Sequence, residues 1–130
     1  MRITISYKEL SSVIKKKTGH DVVFDYISCN KIKVSKLINV PLFGERKIGT
    51  ELEVIGFDGL NLNVKSGSDI ILKLLSILPV NDITRYVEIQ GNEICVMLGK
   101  IDKLKKVFKN VVPTGLFFDE SSVILNISAV

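Results

Sequence analysis

Apolar and polar positions alternate along this chain with a period that changes several times, and each change marks an element. The densest apolar run is Ser68–Leu78, where only Asp69, Lys73 and Ser76 are polar, and at helical spacing these three form one narrow stripe. Ser68 is a favourable N-cap, Asp69 complements the positive end of the helix dipole, Gly67 permits a sharp entry and Pro79 stops the run. The pattern predicts a helix buried around most of its girth. It is too short for a bilayer, which takes about 20 apolar residues.

An earlier segment has the same period with a wetter face. Ser6-Tyr7-Lys8-Glu9 has the form of a capping box, Tyr7, Leu10, Val13 and Ile14 share one side, Lys15–Lys17 occupy the last turn, and Gly19 follows as a C′ residue. This predicts an amphipathic helix lying on a flat apolar surface. Between the two helices the period is two. Asp21–Ile27 is β-branched and aromatic. Lys31–Val40 alternates Ile32, Val34, Ile38 and Val40 with polar residues, Lys36 interrupting the inner row, and Ile48, Thr50, Leu52 and Val54 alternate with Lys47, Gly49, Glu51 and Glu53. Asp58-Gly59 signals a hairpin before the alternation of Leu60, Leu62 and Val64. One-sided strands of this kind belong to an antiparallel meander with one wet face, and Gly44, Gly49 and Gly56 mark bends or bulges that would curl it.

Further along, Tyr86–Ile89 and Ile94–Leu98 read as strands joined at Gln90-Gly91-Asn92. Ile101–Phe108 reads as another amphipathic helix, with Ile101, Leu104, Val107 and Phe108 inward, and Pro113 and Gly115 end that unit. Leu116–Phe118 and Val123–Ile127 make a last hairpin around Asp119–Ser122. The expected architecture is α+β: one domain over residues 1–130, with a curled, mainly antiparallel sheet and about three helices packed on one face.

Composition sharpens this picture. The 130 residues are 46% apolar, with a mean hydropathy of +0.31, which excludes disorder and implies more apolar surface than one small core uses. The net charge of +4 permits an anionic partner without demanding one. Cys29 and Cys95 show no metal or CxxC spacing and read as free thiols in a reducing cytosol, and the N-terminus has no apolar leader pattern, so a cytoplasmic location is expected.

Reactive chemistry is sparse. His20 sits alone at a helix exit, Asp119-Glu120 lies at a turn tip and Glu51/Glu53 lie on an outer strand face, where no burial separates their pKa values. No phosphate-loop, dinucleotide, zinc-protease, nucleophile-elbow or calcium-loop pattern occurs. The expectation is therefore a protein that is not an enzyme, with no catalytic residue, metal site or cofactor. Lysines cluster at Lys15–Lys17, at Lys31, Lys33 and Lys36, and at Lys103, Lys105, Lys106 and Lys109, while arginine is limited to Arg2, Arg46 and Arg85. That balance disfavours nucleic acid and leaves peripheral contact with an anionic membrane as the better use of the lysines.

Two features carry a resemblance. A capped helix at Ile5–Leu10 leads into long alternating strands through Val40-Pro41-Leu42-Phe43-Gly44, and an apolar helix ended by Pro79 precedes a final strand near Phe118–Ile127. In this order of elements, over most of its length, the chain resembles the tubular lipid-binding proteins related to the bactericidal/permeability-increasing family, and small bacterial lipoproteins of similar layout. The resemblance implies a curled sheet wrapping a helix and leaving an apolar slot for acyl chains, and it carries over no functional residue.

The functional expectation is a non-enzymatic binding module for a lipid or other hydrophobic small molecule. Its cleft would lie between the sheet and the Ser68–Leu78 helix, lined by Phe43, Val54, Leu62, Ile71, Leu74, Leu75 and Leu78. The alternatives are a protein-interaction module that buries its apolar surplus in a homodimer, or a peripheral anionic-membrane binder.

Overall fold

The computed structural model describes residues 1–67 and 87–129. The expected helix at Ser68–Leu78 lies outside them, as does Tyr86. The described residues form two antiparallel sheets. The larger has six strands in the order β2-β3-β4-β5-β7-β6, made by Val22–Ser28, Lys31–Val40, Gly44–Asp58, Asn61–Ser66, Glu93–Met97 and Val87–Gln90 respectively. The smaller has three, in the order β1-β9-β8, made by Arg2–Ser6, Ser122–Ala129 and Val111–Phe118.

The expected α+β architecture is thus corrected to a mostly β one. Antiparallel pairing holds throughout, but among the described residues only α1 (Tyr7–Thr18) exceeds one helical turn. Where an amphipathic helix was expected at Ile101–Phe108, the chain makes a single turn at Asp102–Lys105 between 3-10 turns at Leu98–Lys100 and Val107–Lys109. The physical reason is local. The N-cap position is Ile101, whose side chain offers no acceptor, so no cap bond forms. Pro113 and Gly115, read as the end of that unit, lie inside β8 instead. This is an edge strand, where a missing N–H is tolerated, and the register shifts between them.

Helix α1 forms where its capping signals stand. The Ser6 hydroxyl accepts from the Glu9 N–H at 3.1 Å, and Gly19, at φ 77°, closes the C-terminus with its N–H on the Lys15 carbonyl at 2.8 Å. The Ser6 hydroxyl in turn donates to the Glu9 carboxylate at 3.0 Å and so completes the box through side chains. The helix is moored to the small sheet by Tyr7, whose N–H donates to the Ser121 carbonyl and whose hydroxyl donates to the Asp119 carbonyl. It is moored to the large sheet by the Tyr7–Phe24 ring stack and a Lys15–Asp21 ion pair at 3.1 Å.

The meander explains the period-two pattern. Val22, Ile32 and Val34 from the large sheet cluster with Phe118 from the small one, flanked by Ile14, Leu52, Val54 and Val123. A second cluster, Val64 and Ile94 with Leu62, Val87, Ile89 and Val96, continues the same face. The opposite face pairs charges across strands: Lys31 stands against Glu53 at 3.9 Å, and Lys33 is in register with Glu51. Lys31 and Lys33 are therefore part of a solvated face balanced by carboxylates, whereas Lys36, in register with Ile48, lies in the other row.

Candidate functional site

The apolar faces of the two sheets meet imperfectly. Between them is a cavity of about 330 Å³ whose lining, among the described residues, is only apolar side chains. The small sheet contributes Ile3 from β1, Leu116 from β8, and Leu125 and Ile127 from β9. The large sheet contributes Phe57 from β4 and Leu62 from β5. The irregular segment after β7 closes one side with Leu98, Leu104, Val107 and Phe108, three of them from the inward set expected of a helix at Ile101–Phe108.

Two glycine bulges set this lining. In β4, strict alternation from Leu52 and Val54 would turn Phe57 outward. The register slips between Val54 and Gly56, so Phe57 pairs with Leu62 on the inner face, and Gly56 takes φ 153°, which side chains resist. In β8 the slip between Pro113 and Gly115 puts Leu116 opposite Leu125 and leaves Phe117, at 42%, exposed. A large ring and a branched chain thus enter the cavity through two one-residue irregularities.

Of the seven residues expected to line a cleft, Leu62 borders this cavity, Val54 packs against the neighbouring cluster, and Phe43 stands exposed on the β3–β4 turn. Ile71, Leu74, Leu75 and Leu78 lie outside the described residues. Ile3, Phe57, Leu98, Leu116, Leu125 and Ile127 are not legible as lining in the sequence, because the apolar pattern points to a helix, and not a second sheet, opposite the large sheet. Gly56 and Gly115 were the signals available, since an isolated glycine in a strand pattern suggests a bulge.

Among the described residues the cavity lining holds no titratable group. Elsewhere among the described residues two groups are perturbed, both where α1 meets the β8–β9 turn. Burial pushes the Tyr7 hydroxyl up from its ordinary value, with smaller contributions from the charges of Asp119 and Tyr26. The Ser121 N–H holds the Asp119 carboxyl below the usual carboxylate range against partial desolvation, and bonds from Ser122 add to it. Asp119 Oδ1 accepts from the Ser121 N–H at 2.9 Å, from the Ser122 N–H at 2.6 Å and from the Ser122 hydroxyl at 3.0 Å. This is a turn-forming network, with acceptors spent on the backbone. Among the described residues, no group of three or more His, Cys, Asp or Glu is placed to hold a metal ion, and no helix is long and apolar enough to cross a membrane. Comparison with protein-family models, with curated proteins and with solved structures returns no match.

Proposed function

We propose that this chain is a non-enzymatic module that holds a hydrophobic small molecule, such as the acyl chain of a lipid, in the cavity between its sheets. The observation that carries the reading is an apolar space of about 330 Å³ with no polar side chain in its lining. That volume falls in the range of small-ligand sites, about 300–1,000 Å³. Apolar lining left facing water forgoes the stabilisation of burial, and an apolar occupant would recover it. The lining offers neither nucleophile nor acid nor base, which suits holding a molecule over transforming it. A cytoplasmic setting goes with this reading, supported by two cysteines that are both unpaired.

Native mass spectrometry of the purified chain, followed by organic extraction, tests the proposal. The expected result is a discrete adduct that extraction removes and that added palmitate restores, with NMR shifts concentrated at the methyls of Ile3, Leu62 and Leu116. A bare mass, with no shift at those methyls on adding palmitate or a sterol, would overturn it.

A further inference from the structure

A second feature, carried by other residues and independent of the cavity, is the outer end of the β3–β4 hairpin. Beyond the rung Lys36–Ile48, β3 and β4 continue as a two-stranded arm through Leu37–Lys47, Ile38–Arg46, Asn39–Glu45 and Val40–Gly44. Among the described residues no third strand pairs with these rungs, since β2 pairing ends at Val22–Lys36 and β5 pairing ends at Ser66–Leu52, and Leu37, at the root of the arm, donates its N–H to the Asp21 carbonyl at 2.9 Å. Residues 41–48 are all exposed. At the tip, the Phe43 N–H donates to the Val40 carbonyl at 3.1 Å, which makes Pro41 and Leu42 the two corners of a tight turn. Proline at the first corner and φ 73° at Leu42 define a type II turn, whose second corner favours glycine. Here that corner is a leucine 102% exposed, followed by a phenylalanine 67% exposed. Folding alone would select neither the strained leucine nor the uncovered ring. Strain retained together with exposed apolar surface points to an external contact.

The charges nearby identify that contact. Arg46 and Lys47, against the single acid Glu45, stand roughly 10 Å back from the tip at strand rise. This is about the depth to which apolar side chains of interfacial elements enter a bilayer, and it sets the two cations at the level of the lipid phosphates. We propose that the arm docks on an anionic phospholipid surface, with Leu42 and Phe43 entering the acyl boundary and Arg46 and Lys47 meeting the headgroups.

Co-sedimentation with vesicles of phosphatidylcholine alone, and of phosphatidylcholine mixed with phosphatidylglycerol, tests this on the full chain. Binding is expected to the mixed vesicles only and to weaken with salt. Phe43→Ser should lower the partition coefficient about tenfold, and the double variant Arg46→Glu, Lys47→Glu should abolish the preference for anionic lipid. Leu42→Gly separates docking from folding, because it should raise the melting temperature while weakening vesicle binding. The proposal is overturned if the wild-type chain stays in the supernatant, or if Phe43→Ser and Leu42→Gly bind like wild type. It is equally overturned if light scattering shows a dimer that Phe43→Ser dissociates, since the tip would then meet a second copy.

Discussion

Leu42 and Ser35 show opposite ways in which a single side chain departs from what its backbone favours. At Leu42 the left-handed conformation costs an ordinary residue about 1–2 kcal/mol. Replacement by glycine relieves most of that, and urea unfolding of Leu42→Gly should show a gain of about 1 kcal/mol. Ser35 is wholly buried in β3, and its hydroxyl has no hydrogen-bond partner among the described residues. It sits beside Gly49, where an added Cβ would lie 2.7 Å from the Val34 carbonyl oxygen. The glycine lets β3 and β4 approach, and the small serine fills what is left. Ser35→Ala keeps the volume and removes an unsatisfied polar atom, so the same urea titration should show it stabilised by about 1 kcal/mol. A loss instead would mean that a bound water satisfies the hydroxyl.

At the scale of elements, bulges and turns decide which side chains face inward. Gly56 permits the slip that brings Phe57 onto the inner face of β4. Gly56→Val should destabilise by about 1–3 kcal/mol through its positive φ, and the Phe57 ring signals should lose their contacts to Leu62 in NMR. The β8–β9 turn depends on the ionised Asp119 carboxylate. Because the folded chain holds that group below its ordinary value, its contribution is complete above the ordinary carboxylate range and is lost as pH falls through the depressed value. Amide shifts of Ser121 and Ser122 should therefore change only as pH falls below the ordinary carboxylate range, and Asp119→Asn should remove the acid dependence. Since Tyr7 donates to the Asp119 carbonyl, loosening this turn should also loosen the start of α1.

For the whole molecule, the two sheets share a buried apolar cluster at one end and are separated by a cavity at the other. Side-chain enlargement should therefore have position-dependent effects. Leu116→Phe, facing the cavity, should stay within about 1 kcal/mol of wild type in urea unfolding, whereas Ile32→Phe, in the cluster with Val22, Val34 and Phe118, should lose about 1–3 kcal/mol. Equal losses at both positions would argue that the space collapses in solution. Much of this architecture is legible in the residues themselves. The Ser6 and Gly19 caps, the β2–β5 meander, its wet and dry faces and the turns at Asp58-Gly59 and Asp119–Ser122 all follow from propensities and from a period that acts over a few neighbours. What the local pattern could not supply was partnership at long range. Arg2–Ser6 joins the C-terminal hairpin through β9 more than a hundred residues away, and that pairing creates the second sheet. The apolar stripe at Ile101–Phe108 has helical spacing, yet it lacks a cap and is held as irregular turns against the space between the sheets. Amino-acid order determines which face of each segment is oily, because side-chain direction is set by the local backbone. Only the tertiary structure decides what each oily face meets, because burial is a property of two surfaces and one sequence window contains a single one of them.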